Sequence, residues 1–211
     1  DLHRRRHSFP TRRSSDLIKV SELTPKGAML NKNDLLLISE FEMADTYISK
    51  SVTGLEVMEA VKVSNPFGSF IHLNTQTTIA NTPTPMRMSE TTMAMDVSID
   101  EETKIVVSQN GIYNIQFSAQ LYRTSGGTIQ HVDIWYRVNG VDIDNSNTKI
   151  TVANNGHFLV ASWNFFTSLN SGDYIEIMWA TTADTIQLIY ENGNSIHPAI
   201  PSVIATINRI N

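Results

Sequence analysis

The sequence predicts an all-β sandwich of about nine or ten short strands over residues 67–211, preceded by a small mixed α/β module over residues 18–63. Three observations predict it. From Gly111, Tyr113, Ile115, Phe117, Ala119 and Leu121 share one parity while Asn114, Gln116, Ser118 and Gln120 share the other, the alternation a half-buried strand requires. Turn signals punctuate the apolar runs, the strongest being Asn139-Gly140, whose two residues both accept φ > 0. The composition is that of a polar strand-and-turn surface: 59 of 211 residues are Ser, Thr or Asn, and only 18% are charged, against about 25% in ordinary domains.

In chain order, Asp34–Ile38 and Tyr47–Val52 read as strands. Thr53 then opens a helix over Gly54–Val61, with Leu55 and Met58 at helical spacing and Glu56 in the first turn. Ser64-Asn65-Pro66 is the linker. Beyond it, Ser69–Asn74 is the first strand of the sandwich and the polar stretch Thr75–Pro85 crosses over. Met93–Ile99 and Lys104–Val107 follow, separated by the acidic turn Asp100-Glu101-Glu102. After the long strand from Gly111 and the turn Thr124–Gly127, the next strand carries Val132, Ile134 and Tyr136 on one face and His131, Asp133, Trp135 and Arg137 on the other. The remaining strands are Lys149–Val152, His157–Thr167, Tyr174–Ala180, Thr185–Tyr190 and Ser202–Ile210.

Charge is unevenly placed. Residues 1–17 hold five Arg and two Asp, leaving 11 basic and 19 acidic residues in the other 194, a net charge of −8. The string His7–Leu17 resembles the translation of a short-read sequencing adapter, with Asp1-Leu2-His3 as its upstream part. This segment is therefore expected to be adapter-derived, and the native start to lie elsewhere; the alternative is a genuine basic arm. Residues 67–211 carry six basic and twelve acidic residues, so the counterion release that drives nucleic-acid binding is lacking. No apolar run approaches the ~20 residues of a membrane-spanning helix, and membrane insertion is not expected. With no cysteine, disulfides and thiol chemistry are excluded.

These landmarks, in this order, resemble the C1q/TNF-like jelly-roll family, in particular its branch among phage virion proteins of the head-fibre and tail-fibre type. The residues carrying the likeness are Phe70 with Asn74-Thr75-Gln76-Thr77, Gly111–Gln120, Ile134-Trp135 through Asn139-Gly140, Ser146-Asn147-Thr148, Ala161-Ser162-Trp163-Asn164, Gly172-Asp173-Tyr174 and Pro201-Ser202-Val203-Ile204. The segment from Asn33 to the Thr53-Gly54 helix start is similar to short N-terminal modules of phage fibre proteins. The resemblance implies a ten-stranded jelly roll that assembles as a homotrimer. It also implies attachment to other virion proteins through residues 18–63, and exposure on the particle surface for adhesion to a host-surface glycan or protein.

Trp135 alternates away from Ile134 and Tyr136, and Phe158 and Phe166 away from Trp163 and Phe165. Large apolar groups on both faces of a strand mean that both faces are covered, so Trp135, Phe158 and Phe166 are the candidate trimer contacts; the alternative is that these strands are central and a loop shields the second face. The candidate glycan contacts, chosen as amides and aromatic edges of polar loops, are Tyr122, Asn145, Asn155, Tyr190 and Asn192, with plain solvated turns as the alternative. Asp142, Asp144 and Asn147 offer hard oxygen ligands at short spacing and are weak calcium candidates; the positions an EF-hand would fill with Gly and Glu hold Asn147 and Ala153, and a hairpin loop of turn formers is the preferred reading. No other cofactor and no catalytic residue is expected: the carboxylates are scattered, His72, His131, His157 and His197 form no metal-ligand spacing, and no Gly-x-Ser-x-Gly elbow occurs. The leading expectation is a non-enzymatic virion structural protein. A secreted bacterial C1q-like adhesin or spore-surface protein is the alternative, and a carbohydrate-active enzyme the third.

Overall fold

The computed structural model describes residues 35–42, 46–53 and 65–210. The chain divides at Val63/Ser64 into two units, and each is described by itself. In the first, β1 (Leu35–Glu42) and β2 (Thr46–Thr53) form an antiparallel pair in register from Leu35↔Thr53 to Glu42↔Thr46. Both strands run beyond the expected 34–38 and 47–52. The helix expected over 54–61 and the adapter-like residues 1–17 lie outside the described residues.

The second unit contains fourteen strands and, among the described residues, no helix. In order they are β3 (Phe67–His72), β4 (Gln76–Thr77), β5 (Thr84–Pro85), β6 (Glu90–Met95), β7 (Val97–Asp100), β8 (Lys104–Val107) and β9 (Gly111–Arg123). There follow β10 (Gln130–Val138), β11 (Val141–Asp142), β12 (Thr148–Val152), β13 (Phe158–Leu169), β14 (Tyr174–Thr181), β15 (Ile186–Leu188) and β16 (Val203–Arg209). They make two antiparallel sheets. The first runs β6-β3-β16-β9-β13, with β15 and β4 continuing from the C-terminal end of β9. The second runs β7-β8-β14-β10, with β11 and β12 sharing the far edge of β10 and β5 paired to β14. Successive strands pass back and forth between the sheets, which is jelly-roll architecture; the strands outnumber the ten expected because four of them have two or three residues.

Two crossings explain where alternation alone falls short. The run expected as one strand over Met93–Ile99 breaks at Asp96, whose φ of 57° lies in the left-handed region that short polar residues tolerate. Before it β6 pairs β3 in the first sheet; after it β7 pairs β8 in the second. The polar crossover Thr75–Pro85 touches both sheets, through β4 on β15 and β5 on β14. Asn139 and Gly140, at φ 50° and 80°, close the β10–β11 hairpin as their types require.

The core lies between the sheets. Tyr113, Ile115, Phe117, Ala119 and Leu121 of β9 are buried against Val132, Ile134 and Tyr136 of β10 and Ile175, Ile177 and Trp179 of β14. The sheets interlock through aromatic rings. Phe117 meets Trp163 edge-on at 4.6 Å and Tyr136 edge-on at 6.2 Å, while Tyr136 stacks on Phe165 at 4.9 Å. Burial pushes the Tyr136 phenol far above its ordinary range.

One buried charge organises the loops at one end. Arg123 closes β9 at only 2% exposure. Its guanidinium donates to the carbonyl oxygens of Ser125 (2.9 Å), Thr128, Val152 (3.4 Å) and Ala153 (2.6 Å). It thereby ties the β9–β10 loop to the β12–β13 loop by charge-assisted bonds. Gly126, at φ 100°, passes so close that an added Cβ would stand 2.5 Å from Arg123 Nη2, whereas Gly127 has open space. Gly126→Ala should therefore lower the unfolding free energy by more than about 1 kcal/mol, with Gly127→Ala within about 0.5 kcal/mol of wild type. Arg123→Met, which removes the donor shared by the buried Val152 carbonyl and three part-buried ones, should cost about 2 kcal/mol. Urea midpoints at constant m-value check all three, and equal effects at Gly126 and Gly127 would refute the account.

Candidate functional site

The outer face of the first sheet is built by the residues of β9 and β13 that alternate away from the core. Phe158, Val160 and Phe166 are 54%, 53% and 55% exposed. Antiparallel register sets Phe158 opposite Tyr122, and the two rings stand 4.4 Å apart. Ile112 and Ile204 extend the apolar surface. Between its ends runs an amide ladder: Asn164 Nδ2 donates to Asn114 Oδ1 (3.2 Å), and Asn114 Nδ2 to Asn208 Oδ1 (3.4 Å). Among the described residues β13 pairs with β9 alone, so its other edge is open. Phe158 and Phe166 thus share one face. Trp135 does not: it lies on β10 in the opposite sheet, in register with Met178 of β14, because β10 and β13 belong to different layers, which alternation within each strand does not reveal.

Around Trp135 the structure gathers residues expected to do different things. Trp135, Asp142, Ile143, Asp144, Asn145 and Asn147 line an open pocket of about 320 Å³. Asp142 Oδ1 accepts from Arg137 Nε (2.7 Å) and Trp135 Nε1 (2.8 Å); the Arg137 bond first, then the indole bond, hold its carboxyl below the usual carboxylate range. Asn147 Nδ2 donates to Asp133 Oδ1 at 3.1 Å. The loop is fixed from below by Ser146, which is buried: its Oγ donates to Ile143 O (2.8 Å) and accepts from Tyr136 N (3.1 Å). The calcium candidates therefore meet in one place, but Asp142 is already neutralised by a guanidinium. Among the described residues no three His, Asp or Glu are grouped to hold a metal ion.

The glycan candidates are held in different ways. Asn145 belongs to the Trp135 pocket. Tyr122 sits on the sheet face beside Phe158 rather than on a loop. Asn155 donates its backbone N–H to Gly126 O (3.2 Å), within the loops that Arg123 secures. Tyr190 Oη and Asn192 Oδ1 are 3.1 Å apart, and Tyr190 N donates to Thr75 Oγ1 (3.1 Å).

A polar cleft of about 370 Å³ was not anticipated. It is lined by His72, Asn74, Gln76, Arg87, Ser89 and Glu102 among others. Gln76 braces it, accepting from Arg87 N (2.8 Å) and donating to Arg87 O (3.1 Å), and Arg87 is paired with Glu102. His72 is 5% exposed, and its Nδ1 has no partner among the described residues. Burial, and next the Arg87 charge, hold its imidazole below the ordinary histidine range. The signal in the sequence is parity: His72 shares the inward face of β3 with Phe70.

Fold and sites together define a two-sheet jelly roll with an apolar outer face on one sheet and a tryptophan-lined pocket on the other. No family profile and no curated protein matches the chain. Among solved structures the chain is similar to the crystal structure of murine APRIL, at a TM-score of 0.45 and 9% identity over 70% of this chain and 100% of that one.

The buried imidazole has a consequence for pH. Because its folded pKa is lowered, the unfolded chain binds a proton that the folded chain refuses once pH falls below about 6.5. Stability should therefore decline as pH drops from there toward the depressed value, and His72→Gln should flatten that part of the profile. Identical wild-type and variant slopes in urea titrations between pH 7 and 5 would refute this.

Proposed function

We propose that the chain is a non-enzymatic, self-assembling jelly-roll module: a homotrimer built through the outer face of the first sheet and displaying its remaining surface for adhesion. One observation carries the reading. Phe158, Val160 and Phe166 stand more than half exposed on a single sheet face, beside the open edge of β13. Large apolar side chains exposed together on one sheet face mark an interaction site, and a long unpaired edge with apolar side chains is a liability in an isolated monomer. The sequence landmarks of fibre-type virion proteins supply the setting: attachment to the particle through residues 18–63, and contact with a host-surface glycan or protein through the jelly roll.

Sedimentation equilibrium at micromolar concentration should give three times the chain mass of 23.6 kDa. The double substitution Phe158→Asp with Phe166→Asp, placed where neither side chain contributes to the core, should give a folded monomer with an unchanged circular dichroism spectrum. A wild-type monomer, or a double variant that still associates, would overturn the proposal.

A further inference from the structure

We infer that the pocket between Trp135 and the 143–147 loop is a saccharide subsite: an indole platform for the apolar face of one pyranose ring, with Asp144, Asn145 and Asn147 hydrogen-bonding its hydroxyl groups. The inference rests on the adhesion reading above and names its ligand class and its site.

The features of the pocket converge on this ligand. Trp135 is the aromatic in the lining, and its Nε1–H is bound to Asp142, so the indole edge is fixed before any ligand arrives. The loop facing it is equally fixed, by Ser146 beneath and by Ile143 N donating to Tyr136 O at 2.9 Å. Such rigidity lowers the entropy that binding costs. The charge is wrong for a cation, since Arg137 already neutralises Asp142 through the oxygen that also takes the indole bond. The remaining polar groups are amides, which donate to and accept from neutral hydroxyls, and a carboxylate, which accepts from them. A volume of about 320 Å³ is at the small end of ligand sites, the size of one or two sugar rings. The sheet that bears Trp135 is also not the one that bears Phe158 and Phe166, so assembly through the latter leaves the pocket open.

The test uses the full chain with methyl glycosides of glucose, galactose, mannose and N-acetylglucosamine, each at millimolar concentration, with EDTA and separately with added calcium. Saturation-transfer NMR should show contact with the ring protons of at least one glycoside in EDTA, and tryptophan fluorescence should shift with the same dependence on concentration. Trp135→Ala should abolish the transfer. Asp144→Ala, at an exposed position whose side chain takes no hydrogen bond among the described residues, should weaken binding at least tenfold without changing the thermal midpoint. Binding that survives both substitutions, no transfer to any of the four glycosides, or binding only with calcium would each overturn the assignment. Sedimentation of the same samples separates the two proposals: a monomer that binds a glycoside through Trp135 removes the trimer alone, and a trimer that binds none removes the subsite alone.

Discussion

Everything in the jelly roll depends on the alternation of β9. Thirteen residues long, it is paired over twelve positions with β13 on one edge and with β16 and β15 on the other. Its inward residues, from Tyr113 to Leu121, form the floor on which the second sheet is laid. Because side chains alternate strictly, the register that buries Phe117 against Trp163 and Tyr136 also sets what lies outside: Tyr122 against Phe158, Asn114 against Phe166, Gln116 against Asn164. A slip of one residue would exchange the two sets and bring Asn114, Gln116 and Ser118 into the core. The exposed aromatic ends and the amide ladder between them are therefore fixed by the same constraint as the core.

That coupling explains which features were legible in the sequence. Strands set by local alternation or by a turn chemistry of their own, such as β9 and the Asn139-Gly140 hairpin, could be read directly. So could the outward parity of Phe158 and Phe166, because Trp163 and Phe165 between them must face in. What alternation cannot state is which sheet a strand joins. Trp135 has the same outward parity on its own strand, yet its strand lies in the other layer, and the grouping of all three residues into one interface was not available from parity. The break at Asp96 was invisible for a related reason. A left-handed residue of ordinary type leaves the apolar pattern on either side intact while redirecting the chain.

The polar features were the least legible because their meaning is tertiary. Arg123 ends a strand at a place where an arginine would ordinarily be solvated; its burial follows only once the carbonyls of two separate loops converge on it. Ser146 reads as one more turn residue, and its fixing of the 143–147 loop depends on the backbone of Tyr136, ten positions away. His72 could have been found, since it has the inward parity of Phe70, but the cleft that Arg87, Gln76 and Glu102 build around it comes from the crossover strands β4 and β5 with their neighbouring turns. Asp142, Asp144 and Asn147 line one pocket. Whether such a set suits a cation is decided by what else reaches it, and here that is Arg137.

The two outer faces of the sandwich thus differ in kind, for a physical reason. On the first sheet, β9 and β13 are long and evenly paired, and no loop folds back over their apolar ends among the described residues. Covering that surface is what the proposed self-association would supply. On the second sheet, the short β11 and β12 share one edge of β10, and the loop between them rises beside Trp135. Its polar atoms are bonded internally at Ser146 and Asp142, while Asp144 and Asn145 line the pocket with no side-chain hydrogen bond among the described residues. A surface that satisfies its own rigid parts and leaves a ring and a few amides to solvent is suited to weak, reversible contact. Repetition of that contact around an assembly multiplies its strength, because each further engagement occurs at high effective concentration. Self-association through one sheet would in this way make a shallow pocket on the other sufficient for adhesion.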